Sequence, residues 1–431
     1  MRKLSLLIAL SVVCSAAACT KKADPPAESK KKDKDEGDDK GSTKKKKKGD
    51  DKGDKADDKG GDEEAPKKAK GGAGCKLPES GSTLSADWTF SKGCTLVVKE
   101  NLHVAEGAVL TIEPGVTLKF ETNVAVWVDY GKIVAKGTEE EPITLTSNNK
   151  SPAKGDWVGV RLAEKTSAGT VFDHVKFDYT GHDDNGKAAI AFYGHVSPGR
   201  VAITNSTFAH AEDGVLNDSE DSAFAKLEGN DFKGVEGTAV TVHASGMGSL
   251  GKNKLGGKPI HTHGTIKASQ NWPEVDGPIV VDANIEVNGD KSAAIVKIAD
   301  KTTVKFTASV HVWIGGGNGG GVQAKEVTFT SANATAAAGD WSGFILDKKT
   351  TNLKLEDCVF KYAGHDDNGV GAIRWYGVTA KEIEGGVTIT GCTFEHITGP
   401  AFLEDGDKKC GKVGEPAAKN KSVGGKLCGP A

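Results

Sequence analysis

A chain of 431 residues with a net charge of −3 has room for two domains or one long one, and its balanced charge argues against a dedicated nucleic-acid binder. Charged residues make up 27% of the whole, yet they crowd at one end, so the chain is not uniform. No run after the first residues is apolar enough to cross a bilayer as a helix.

The chain opens "MRKLSLLIALSVVCSAAAC": two cations, an apolar run from Leu4 to Val13, then small residues before Cys19. This is the layout of an export signal, too short and wrongly flanked for a membrane span. Ala-Ala-Ala-Cys fits a lipoprotein cleavage box, so residues 1–18 are expected to be removed and Cys19 to carry lipid. Ordinary secretion with a free Cys19 is the alternative. Acyl chains there would hold the protein on a membrane, each buried methylene adding about 0.8 kcal/mol. The expected location is the bacterial cell envelope, at the outer membrane or the cell surface.

Residues 20–74 contain no Val, Ile, Leu or Phe, and 18 Lys face 15 Asp and Glu. Such a segment cannot bury enough apolar surface to offset its ordering entropy. Residues 19–74 therefore read as a disordered, solvated tether that holds the remainder off a surface. That remainder, from residue 75 on, carries a net charge of −8.

From Asn101 the sequence runs "NLHVAEGAVLTIEPGVTLKF". Apolar pairs fall at Leu102/Val104, Leu110/Ile112, Leu118/Phe120, Val126/Val128 and Ile143/Leu145, each pair spaced by two. That spacing puts both side chains on one face of a short strand, and the spacings of three and four that a helix needs are absent. The first three pairs recur at intervals of eight, so three strands close one circuit and Leu102/Val104 should lie beneath Val126/Val128. Short strands at regular spacing, each burying one face on its neighbours, describe an all-β solenoid.

A longer duplication overlies this pattern. "KGDWVGV" at Lys154 returns as "AGDWSGF" at Ala338, "AIAFYG" at Ala189 as "AIRWYG" at Ala372, and "ITNSTFAH" at Ile203 as "ITGCTFEH" at Ile389. The expected blocks are residues 75–276 and 277–409, followed by a tail at 410–431; one continuous helix and two successive ones both fit. "LHVAEGAVLTIEPGVTLKF", "IVAKGTEEEPITLTS", the "GDWVGV" turn and "ASQNWPEVDGP" resemble right-handed parallel β-helix repeat proteins, an architecture shared with pectate-lyase-like enzymes. The resemblance spans roughly residues 95–408 and implies a fold; an activity has to be argued from a site.

Six cysteines follow Cys19, and proximity in sequence pairs them as Cys75–Cys94, Cys358–Cys392 and Cys410–Cys428. The first and third would staple the two ends, where open strand edges need capping. Cys358 and Cys392 hold matching places in "DCVF" and "GCTF", and on adjacent strands about 4.8 Å apart they could bond.

Several motifs invite chemistry. "YTGHDDNG" at Tyr179 returns as "YAGHDDNG" at Tyr362. Asp183, Asp184 and Asn185, with Asp366, Asp367 and Asn368, could bind Ca²⁺ through oxygen ligands, or act as acid and base on sugars. Asp-Asn-Gly is also strong turn chemistry, and duplication copies a turn more readily than an active site. Ca²⁺ is the cofactor this motif suggests. Inward Ile190/Phe192 and Ile373/Trp375 turn Tyr193, Tyr376 and Arg374 outward, while inward Val126/Val128 and Val312/Ile314 turn Trp127 and Trp313 outward. Exposed aromatics at repeated positions suit sugar rings. Should the protein be a polysaccharide lyase, Arg374, Asp366 and Asp367 would carry it. His261 and His263 share a strand face, with His243 about one circuit earlier; such imidazoles could hold Zn²⁺ or Cu²⁺.

These features together point to a monomeric, exported, lipid-anchored β-helix protein acting as a non-catalytic binding or structural module for polysaccharide. A polysaccharide lyase or glycoside hydrolase on the same scaffold is the alternative.

Overall fold

The structure is a computed structural model that describes residues 72–77, 82–105, 107–182, 187–365, 371–378, 382–383, 386–404, 419–424 and 426–427. Cys19 and the lipidation site lie outside these residues, as do Asp183, Asp184, Asn185, Asp366, Asp367, Asn368, Cys410 and Cys428. Every strand pairing among the described residues is parallel, and each strand pairs with those one circuit before and after it. The protein is a parallel β-helix.

The alternation seen in sequence is the alternation of burial. Leu102, Val104, Leu110, Ile112, Leu118, Phe120, Val126 and Val128 are all buried, and Leu102 pairs with Val126 and Val104 with Val128, as one circuit of three strands requires. In-register stacking puts like on like. Phe177 stacks on Phe208 at 4.9 Å and Phe208 on Phe232 at 4.6 Å; in the second half Phe329, Phe360 and Phe394 repeat the column.

The first half has three walls. Strands Trp88–Phe90, Val109–Ile112, Lys132–Lys136 and Thr170–Asp173 stack in one, and Thr95–Val98, Thr117–Phe120, Ile143–Ser147 and Val175–Asp178 in a second. The third runs from Leu102–Val104 through Ala125–Val128, Gly159–Ala163, Ala188–Tyr193, Asp213–Asn217 and Val240–His243 to Ile260–Ile266. At Ile279–Val287 this third wall forks. Ile279–Val281 pair with Val304–Phe306, whereas Ile285–Val287 pair with Val312–Ile314. Trp127 and its sequence counterpart Trp313 consequently stand on different walls, and the second half is turned by one face relative to the first.

Corners are turned by residues in the left-handed region, including His174, Asn205 and Asp357 with φ of 52°, 49° and 52°. The next residue points inward and satisfies the backbone freed by the bend. Ser206 Oγ donates to the Thr204 carbonyl and accepts from Val175 N; Asn230 Nδ2 donates to the Ile203 carbonyl, and Asn420 Nδ2 to that of Ile389.

Two expectations are corrected here. The tether was expected to extend through residue 74, but Gly72–Gly74 form a strand paired with Trp88–Phe90. The Cys75–Cys94 disulfide, with Cα atoms 5.2 Å apart, holds this segment against the otherwise open edge of the first coil. The second expected bridge is not formed: Cys358 and Cys392 are free, buried thiols. They occupy the inward corner places that Val175 and Ser206 fill in the first half. Cys358 Sγ turns back to the Glu356 carbonyl at 3.4 Å and Cys392 Sγ to that of Thr390 at 3.6 Å, the same two-residue return that Ser206 makes.

The repeated "GDW" turn is the tightest piece of the core. Trp157 is fully buried and stacks on Phe120 at 4.1 Å, and Trp341 stacks on Phe306 at 4.0 Å. Their indole Nε1 atoms donate to the carbonyls of Asp178 and Lys361, each at 2.8 Å. Asp156 accepts from Ser147 Oγ and Ala153 N, and Asp340 from Ser331 Oγ and Ala337 N. Trp341→Ala should lower unfolding stability by about 3–5 kcal/mol, the usual cost of removing a large buried aromatic, measured by chemical denaturation. A loss no greater than that of an exposed Tyr376→Ala control would show the turn is not a core element.

Candidate functional site

Outward-facing residues form ladders along each wall. On the third wall one ladder reads His103, Trp127, Arg161, Ala191, Leu216, Thr241, His261 and Val280. Trp127 stacks on His103 with centroids 6.4 Å apart, and reaches across the Arg161 coil to Tyr193, 5.4 Å away. Arg161 is trapped under the two aromatics. It is fully buried, its guanidinium lies 6.0 Å from the Tyr193 ring, and it donates to the carbonyls of Val158, Val160 and Ala188.

The second half rebuilds this cluster with the arginine moved by one coil. Trp313 meets Tyr376 at 5.3 Å, and its Nε1 donates to Asp347 Oδ2 at 3.2 Å. Ile345 now stands where Arg161 would be, and Arg374 stands at the place of Ala191, its guanidinium 5.0 Å from the Tyr376 ring. The five expected ligand-binding residues are thus brought together in two groups, Trp127 with Tyr193 and Trp313 with Tyr376 and Arg374. The Trp313 ladder runs back through Glu286 to Thr265, so it begins around the bend from the wall of Trp127. Arg374 was expected to stand out as a lyase residue, but only 4% of it is exposed. Tyr376, 45% exposed, covers it, with the guanidinium 5.0 Å from the ring centroid.

Around the "HDDN" repeats the described flanks are copies of one turn. Tyr179 and Tyr362 sit in the left-handed region and stack on His210 at 4.7 Å and His396 at 5.2 Å. Gly181 and Gly364 follow with φ of 106° and 109°, and a Cβ on either would meet a carbonyl oxygen at 2.6 or 2.4 Å. No group of three metal-ligating side chains converges among the described residues, which removes a three-imidazole metal site at His243, His261 and His263.

A different cluster was not legible in sequence. Asp282 bridges two imidazoles: His261 Nδ1 lies 3.0 Å from its Oδ2 and His263 Nδ1 2.9 Å from its Oδ1. His243 is opposite His263 on the preceding strand, the rings 6.1 Å apart, and its Nδ1 accepts from Ser245 Oγ at 2.8 Å. Room for His243 comes from Gly264, at φ 99°, where a Cβ would clash with the imidazole ring. The strand register slips between Thr262 and Gly264, a bulge at the very point where the wall forks. The only hint in sequence was that Asp282 follows His261 by 21 residues, close to one circuit, and circuit length varies here too much to fix the register.

The charges in this cluster are coupled. Burial works to raise the Asp282 carboxyl, but the bonds from His261 and His263 outweigh it and hold it well below the usual carboxylate range. The bond to Asp282 raises His263 despite partial burial. Desolvation lowers His243, and the neighbouring His263 charge adds to that.

Residues 81–197 match the family model of a pectate-lyase-like beta helix domain. The fold is that of the right-handed parallel β-helix. No curated protein and no solved structure matches the chain. The matched stretch carries the Trp127–Tyr193 cluster and ends before the imidazole cluster.

Asp282→Asn tests the coupling. The His263 contribution is present below the unfolded imidazole pKa of about 6.5 and fades as pH rises through its raised folded value. That of Asp282 is present above about 3.9 and fades only in acid. Asp282→Asn should therefore lower the melting temperature more near pH 5.5 than near pH 8, and NMR titration should show the His263 midpoint falling. An equal loss at both pH values with an unmoved midpoint would dissolve the ion pair.

Proposed function

We propose that the protein is an exported, lipid-anchored surface protein whose β-helix binds polysaccharide through the Trp127–Tyr193 and Trp313–Tyr376 clusters. The pectate-lyase-like domain at residues 81–197 supports a polysaccharide-related role. One observation carries the binding surface: the Trp–Tyr pair recurs at 5.4 and 5.3 Å in both halves, although the arginine beneath it has moved by one coil. A structural prop would be expected to keep its buried cation in place, whereas here the aromatic surface is what stays the same. Partly exposed rings backed by a guanidinium present an apolar face stiffened from below, suited to stacking against a sugar ring.

The export layout of the first 18 residues and the charged stretch after Cys19 fit a module held away from a membrane. Polysaccharide-array binding should be strong for the parent. Trp127→Ala or Trp313→Ala should each weaken it about tenfold, as loss of about 1.4 kcal/mol implies. Undiminished binding in the double variant, or none in the parent, would rule out the aromatic surface.

A further inference from the structure

We propose that His261 and His263 form a general acid–base centre that hydrolyses acyl esters, with Asp282 as their positioning residue. This takes the polysaccharide reading above as the source of the substrate, an O-acylated glycan.

Both oxygens of Asp282 are used on Nδ1 atoms, so each ring is held in one orientation and one tautomer when neutral. Among the described residues nothing bonds Nε2 of either ring, and the side chains are 29% and 31% exposed. A carboxylate that fixes the far nitrogen of an imidazole is the arrangement a general base needs. Here one carboxylate serves two such bases on the same strand face.

The cluster is also not a legacy of duplication. Asn284 Oδ1 accepts from His311 N at 3.1 Å as Asn101 Oδ1 accepts from Ala125 N at 2.9 Å, which fixes the correspondence between halves. At the same offset Asp282 corresponds to Lys99. The corner motifs occur twice, whereas this constellation occurs once among the described residues, at the bulge where the wall forks.

The surroundings select the chemistry. Asp218 contributes negative charge at His263, and Glu220 and Asp221 at His243, while Lys267 is held by Glu220 at 2.6 Å and Asp221 at 3.4 Å. So acidic a rim repels a uronate, which disfavours lyase elimination. A glycosidic oxygen is ordinarily protonated by a carboxylic acid. Imidazole near neutral pH instead matches water attack on an ester. His261 Nε2 takes a proton from water as the water oxygen bonds to the acyl carbon. The tetrahedral intermediate collapses with cleavage of the carbon–oxygen bond to the sugar, and His263 Nε2 gives its proton to the departing alkoxide. One proton is taken and one given, so exchange with solvent restores both rings; ester and water become acid and alcohol.

The full-length protein is assayed for acetate release from acetylated xylan, acetylated glucomannan and p-nitrophenyl acetate between about pH 5 and 9. The expected result is turnover that falls about 100-fold or more in His261→Gln and in His263→Gln, the usual worth of an acid or base. Asp282→Asn should lower kcat and displace the pH optimum, with KM little changed. Melting temperatures confirm folding of each variant, and diethyl pyrocarbonate treatment of the parent should abolish turnover without unfolding. No release from all three substrates by the folded parent overturns the proposal, as does release that survives both histidine replacements. Binding of the deacetylated polymer without acetate release sinks the esterase and spares the polysaccharide reading. Histidine-dependent release from p-nitrophenyl acetate with no polymer bound spares the esterase and sinks that reading.

Discussion

Parallel, in-register stacking is the constraint from which the rest of this structure follows. A strand whose neighbour lies one circuit away at about 4.8 Å must present the same face to the axis as that neighbour. Leu102 beneath Val126, and Phe177 beneath Phe208 beneath Phe232, are consequences of that rule. So are the inward corner residues, where Ser206, Asn230, Cys358 and Cys392 each turn back to a carbonyl at the bend. A thiol is a weak hydrogen bonder, yet at that corner it is used as a hydroxyl is.

The same rule leaves the outer wall free. Nothing in the core requires Trp127 to meet Tyr193, or Trp313 to meet Tyr376, and the arginine under each pair sits on a different coil. Duplication copied a scaffold and an aromatic surface together. The fork at Ile279–Val287 then turned the second copy by one face, so the two aromatic clusters do not form one continuous groove. The irregular backbone at that fork is also where imidazoles and carboxylates gather, because a bulge re-aims side chains that a regular ladder would hold parallel.

Much of the fold could be read from residue types. The pairs from Leu102/Val104 to Ile143/Leu145, the circuit of 24 residues and the repeated turn were visible because period-two burial and left-handed corner residues leave local marks. The outward direction of Trp127, Trp313, Tyr193 and Tyr376 followed from the same alternation. Arg374 was misjudged for a physical reason: alternation gives the side of a strand a residue occupies, and cannot tell whether a neighbouring ring folds over it. The Cys75–Cys94 bridge was legible because its partners lie close along the chain, while Cys358 and Cys392, at matching corners of adjacent coils, remain free thiols.

The amino-acid sequence by itself determined the β-helix, its duplication and its inward faces, since those depend on contacts whose spacing repeats along the chain. Only the tertiary structure decided that Arg161 and Arg374 are covered, that the second half is turned by one wall, and that Asp282 joins His261 to His263. These depend on the register across an irregular circuit, where Ile279–Val287 carries two extra residues against the preceding strand and no local pattern records the shift.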